Sequence, residues 1–177
     1  KLADARNAGV QVSAIWAQDW EGKRETSFGR QLMWNWEYEP QMYPDLPAYI
    51  ARLREQGLGF LGYVNPYLAA DGRLYAEASA RGFLDRDRSG SDYQIVVTTF
   101  PVGIVDLTHT EAFDWIKKIS AKNMLGIGMG GWMADFGEYL PCDAVLHSGL
   151  PADVYHNRYA VEWARVNREV LEENDAL

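Results

Sequence analysis

The chain has one cysteine, Cys142, among 177 residues, so an internal disulfide is excluded. The lone thiol fits a reducing compartment, and a cytoplasmic location is the expectation. Positive charge is scarce: 17 Lys and Arg stand against 25 Asp and Glu, for a net charge of -8. With no basic stripe, neither nucleic acid nor an anionic membrane is an expected partner. No apolar run approaches the ~18 residues that span a bilayer. The three histidines and Cys142 form no metal-ligand spacing with the acids. No metal and no cofactor are therefore expected.

What is present is an ordinary globular balance, 47% apolar and 24% charged. Aromatics reach 13%, with seven Trp and ten Tyr. Aromatic faces suit sugar rings, and they equally suit a core. The chain opens inside a helical pattern, KLADARNAG, and reads as a piece of a longer protein.

Apolar runs alternate with amphipathic ones. VQVSAIWA from Val10, LGFLGYVNP from Leu58, VGIVDL from Val102 and GGWMADF from Gly130 read as strands. PDLPAYIARLREQG, HTEAFDWIKKISAKNM and HNRYAVEWARVNREVLEEN read as helices. Asp45 is placed as an N-cap, and Thr108 or Thr110 as the cap of the second helix. Residues 70–101 read as an insertion between the second and third strands. It holds a short helix around Leu74–Ala80, a turn-rich DRDRSGSD and a strand in YQIVVTTF. This βαβα order predicts an α/β fold with a parallel sheet. The expected architecture is a partial (β/α)8 TIM barrel of about four βα units spanning 1–177. A whole barrel takes about 250 residues and eight strands, so the rest of a parent chain is the expected partner that completes it.

Each strand ends in a polar residue: Gln18 and Asp19, then Asn65, then Asp106, then Asp135. Barrel active sites lie at that C-terminal end. Turns also favour Asp and Asn, but four polar tips together point to a shared pocket. The richest tip is GGWMADFGEYLP, which sets Asp135 and Glu138 three residues apart among aromatics.

Two motif matches in this region fail on context. Gly126–Gly131 fits G-x-G-x-x-G, but a helical pattern precedes it and a strand follows, the reverse of a dinucleotide site. Asp135-Phe136-Gly137 spells a kinase triplet without the other kinase segments. A retaining glycosidase uses two carboxyl groups about 5–5.5 Å apart, flanking the scissile bond. Asp135 and Glu138 share one tip and would approach from one side. Glu138 therefore suits orienting Asp135 or binding a hydroxyl better than acid catalysis.

GGWMADFGEYLP, IWAQDW at 15–20, SFGRQLMWNW at 27–36, NPYLA from Asn65, VDLT from Val105 and HNRY from His156 together resemble glycoside hydrolase family 31, the retaining α-glycosidases. The resemblance runs end to end and touches the sulfoquinovosidase branch. It implies that Asp135 is the catalytic nucleophile, that Gln18 binds sugar hydroxyls, and that Trp34 lies where sulfoquinovosidases use a tryptophan toward the sulfonate. Asp19, Trp132 and Glu138 are expected around these. The family's acid/base would fall beyond Leu177. Sulfoquinovosidases carry an arginine three residues before that tryptophan, where this chain has Gln31. A sulfonate is best held by a charge-assisted donor. If the segment is extended, Arg30 points to the opposite face. Gln31 thus favours a terminal α-glucoside as the expected substrate, with a sulfoquinovoside as the alternative. A carbohydrate-binding barrel without chemistry would use the same aromatics and remains open at this point.

Overall fold

The computed structural model of the chain describes residues 1–97 and 99–176. In chain order it has α1 (Leu2–Asn7), β1 (Ala14–Trp16), β2 (Lys23–Thr26), β3 (Gly29–Leu32), α2 (Leu46–Glu55), β4 (Gly59–Val64), β5 (Tyr67–Ala69), α3 (Arg73–Arg81), β6 (Gln94–Val97), β7 (Phe100–Ile104), α4 (Thr110–Asn123), β8 (Gly131–Ala134) and α5 (Ala152–Glu173).

Three strands pair in parallel in the order β1-β4-β8. Ile15 lies opposite Phe60, and Met133 opposite Tyr63. Side chains alternate across such a sheet. Phe60 and Trp132 face the helices: Phe60 meets Tyr49 of α2 edge-on, and Trp132 bonds to Asn167 of α5. The opposite face carries Trp16, Tyr63 and Met133. Trp16 and Met133 are about half exposed, at 49% and 46%, so this inner face is open among the described residues.

The partial barrel stands, with one difference in its strands. VGIVDL does not join the parallel sheet. Its strand β7 pairs antiparallel with β5 and β6, in the order β5-β7-β6. β4 instead lies directly beside β8. The described barrel strands are therefore three rather than four. An apolar run specifies burial but not the direction of its neighbour, and the short return through Tyr67–Ala69 supplies an antiparallel one. The run YQIVVTTF becomes β6 and the start of β7; its Thr98 lies outside the described residues. A hairpin of β2 and β3, unmarked by apolar alternation, adds a small two-stranded sheet.

Of the two expected helix caps, one is in position without a side-chain bond and the other is displaced. Asp45 holds the cap position of α2 with φ 57° and makes no side-chain cap bond. His109, not a threonine, precedes α4. Thr108 turns instead to Asp106, whose Oδ1 accepts both its N–H at 2.9 Å and its hydroxyl at 2.6 Å.

The aromatic surplus is mostly core. Trp20, Trp36 and Trp163 are at most 2% exposed. Each indole donates to a backbone carbonyl at a strand end: Trp20 to Tyr63 at 2.8 Å, Trp36 to Tyr67 at 2.8 Å, and Trp163 to Asp135 at 3.0 Å. A buried indole N–H needs such a partner. The carbonyls it finds belong to the strand ends where polar side chains gather, so the packing fixes their positions.

Candidate active site

Asp135 follows β8 and continues its ladder, donating its N–H to Val64 at 2.9 Å. The chain then turns sharply. Phe136 has φ 58° and Gly137 has φ 110°. A Cβ on Gly137 would meet the Cα of Ala160 in α5 at 3.2 Å, so only glycine lets the turn close on the helix. The turn leaves the Asp135 side chain on the inner face of the sheet.

There Tyr63 donates its hydroxyl to Oδ2 of Asp135 at 2.8 Å. Burial pushes the Tyr63 phenol well up. The Asn65 contact opposes this, and the hydrogen bond and charge of Asp135 add to it. The phenol stays protonated and acts as a donor. Asn65 sits two residues on, on the same face. Its side chain accepts the Tyr67 N–H at 3.0 Å and reaches the Tyr63 oxygen at 3.4 Å. The order Asn65, Tyr63, Asp135 is thus a short hydrogen-bonded line across β4 and β8.

This line borders an open cleft of about 400 Å³, within the range of ligand sites. Gln18, Gln31, Trp34, Tyr63 and Asp135 line it, together with Lys23 and Arg30. Trp34 stacks on Tyr67 with ring centres 5.3 Å apart and meets Phe136 edge-on at 5.9 Å. Gln18, Gln31, Trp34 and Asp135, expected from sequence as site residues, therefore share one cavity.

Other expected residues do not reach it. Trp132 points outward and donates to Asn167 at 2.7 Å. Strand alternation places it on the face opposite Met133 and Asp135. Glu138 is exposed and does not line the cleft, because the turn at Phe136 and Gly137 carries it away. Asp106 is buried at 2% exposure and clips a loop through the His147 N–H at 2.6 Å. Asp19 stands one step back from the cleft. It accepts from Tyr43 and pairs with Lys23, which lines the wall. Burial alone would raise the Asp19 carboxyl. The bonds from Lys23 and Tyr43, with the Lys23 charge, outweigh burial and hold it below the ordinary carboxylate range.

Arg30 differs from expectation too. β3 is extended, with Arg30 opposite Glu25 and Gln31 opposite Arg24. Both Arg30 and Gln31 nevertheless border the cleft, because the hairpin lies along its rim. Sequence reasoning missed Tyr63 and Lys23, and it turned Arg30 away from the site. The spacing Tyr63-Val64-Asn65 was the available signal for Tyr63, since residues two apart on a strand share a face.

The family model for the glycosyl hydrolases family 31 TIM-barrel domain matches residues 2–176. A sulfoquinovosidase of Escherichia coli (strain K12) is 50% identical over 177 residues, which are 100% of this chain and 26% of that protein. A sulfoquinovosidase of Agrobacterium fabrum (strain C58) is 45% identical over 97% of this chain and 26% of its own length. The solved structure of a family 31 sulfoquinovosidase from E. rectale, in complex with an aza-sugar inhibitor, superposes with a TM-score of 0.95 at 48% identity, over 98% of this chain and 26% of that one. The chain thus spans about a quarter of the length of these relatives. The parallel strands, the acid at the tip of β8 and the match over residues 2–176 lead to one assignment: the chain belongs to the glycosyl hydrolases family 31 TIM-barrel domain.

Proposed function

We propose that this segment carries the nucleophile of a retaining α-glycosidase, and that the enzyme acts on α-sulfoquinovosides. The observation that carries the nucleophile role is the bond from Tyr63 to Oδ2 of Asp135 at the wall of the cleft. It engages one carboxylate oxygen and leaves Oδ1 to attack. In the first step Oδ1 bonds to the anomeric carbon as the glycosidic C–O bond breaks. The leaving oxygen takes a proton from an acid outside this segment. Water then adds at the anomeric carbon, gives its proton back to that group, and frees the carboxylate.

Two considerations support the sulfonated sugar. The relatives at 50% and 45% identity are sulfoquinovosidases. The cleft wall also carries two cations, Lys23 and Arg30, beside Trp34. Arg30 pairs with Glu25 at 2.8 Å, but both side chains are more than 70% exposed. Such a pair is weak and can exchange for an anionic ligand. Gln31 favours a second reading, a neutral α-glucoside, since its amide suits a hydroxyl better than a sulfonate. The full-length enzyme assayed with 4-nitrophenyl α-sulfoquinovoside and with the α-glucoside separates the two. A kcat/KM at least about a hundredfold higher for the sulfonated substrate, or nearly 3 kcal/mol of discrimination, is expected. Equal or reversed values would establish the glucoside.

A further inference from the structure

Glu21 is an acid that the proposed chemistry does not use. It follows Trp20 on the way into β2 and is 1% exposed. Its Oε2 accepts the N–H of Asn35 at 2.8 Å, and the backbone around Trp34 also favours its charged form, while the Met33 N–H goes to the Gly22 carbonyl at 3.3 Å and Oε1 has no partner among the described residues. Trp34, next to Asn35, has φ 57°. Successive N–H groups around a left-handed residue form a concavity that binds anions. A left-handed tryptophan is unfavourable unless its surroundings hold it. Here the holding group is a carboxylate from within the same chain. Trp34 is the same indole that stacks on Tyr67 and lines the cleft with Asp135.

We infer that Glu21 is a positioning residue for sugar binding: buried and bonded to the backbone N–H of Asn35, it fixes the left-handed turn that sets Trp34 into the cleft wall. This rests on the glycosidase reading of the cleft for its functional consequence, though not for its geometry. The groups that face Glu21 are Arg24 from β2 and Tyr63 from β4. Arg24 is itself anchored, donating to both oxygens of Asp71 and to the Met33 carbonyl, so it draws on Glu21 from a fixed position. Burial pushes the Glu21 carboxyl up to about 8, against the pull of the Asn35 N–H, the neighbouring backbone and Arg24. The carboxyl is therefore largely neutral at pH 6 and largely charged at pH 9. The charged form accepts the stronger hydrogen bonds. The Trp34 turn is accordingly held better on the alkaline side, and KM falls as pH rises through about 8.

The test uses the full-length enzyme with 5-fluorotryptophan incorporated, the Trp34 resonance being assigned by Trp34→Phe. In the wild type that resonance is expected to shift with a midpoint near pH 8. In Glu21→Gln, which keeps an acceptor and cannot titrate, it should not move with pH. Kinetically, Glu21→Gln should flatten the pH dependence of KM, and Glu21→Ala should raise KM about tenfold with kcat within about threefold. A Trp34 signal blind to pH in the wild type, or unchanged in its pH response by Glu21→Gln, overturns the inference whether or not the enzyme turns over. If Glu21→Ala does not fold, the Glu21→Gln comparison decides alone. Failure of the wild type to cleave any α-glycoside sinks the glycosidase reading instead, and the resonance still reports on Glu21.

Discussion

Asp135 stands half-buried at the tip of a parallel strand. A tyrosine hydroxyl donates to one of its oxygens, and a cleft lies beside it. Asp85 lies next to β7, wholly buried, and neither of its oxygens has a hydrogen-bond partner among the described residues. Burial, and then the charge of Asp106, push the Asp85 carboxyl well above its ordinary value. The two acids differ in what surrounds them and not in kind. One is supplied with a donor and with access, which an attacking carboxylate requires. The other is supplied with neither, and its surroundings favour the neutral form over the charged one.

Exchanging each acid for its amide sharpens that contrast. The largest effect belongs to Asp135→Asn, which should lower kcat of the full-length enzyme by at least about a thousandfold with an unchanged melting profile. Tyr63→Phe comes next. It keeps the packing of a side chain that is 2% exposed but frees Oδ2. A loss in kcat on the order of a hundredfold is expected, and steady-state kinetics measure it. Asp85→Asn is the smallest and has the opposite character. The native state binds the Asp85 proton more tightly than the unfolded chain, so wild-type stability falls as pH rises above about 4. The amide removes that slope and should raise stability at neutral pH above that of the wild type, with activity retained. Denaturation of the two proteins across pH 4–8 would show it. A large activity loss in Asp85→Asn would erase the distinction between the two acids.

Part of this was legible in the sequence. Gln18 and Asp135 end strands, and a barrel gathers strand ends into one pocket. Trp34 and Gln31 followed from the family resemblance, and the cleft includes both. Trp132 was misplaced because proximity to Asp135 in sequence outweighed strand alternation, which sends it outward to Asn167. VGIVDL was assigned to the barrel because a buried run carries no mark of its partner, and its partner is the antiparallel β5. The β2–β3 hairpin was invisible because Lys23–Thr26 has no apolar alternation. Glu21 could not be found at all. Its partner, the N–H of Asn35, lies 14 residues away in sequence, and only the tertiary fold brings the two together.

The most direct test of the central claim is covalent capture of Asp135. A 2-deoxy-2-fluoro-α-glycosyl fluoride, or its 5-fluoro counterpart, should inactivate the full-length enzyme in step with the addition of one glycosyl group. Peptide mapping by mass spectrometry should then place that group on the peptide spanning GGWMADFGEYLP, on Asp135. Stoichiometric labelling of any other carboxylate, or inactivation with this peptide unmodified, would contradict the assignment of Asp135 as the nucleophile.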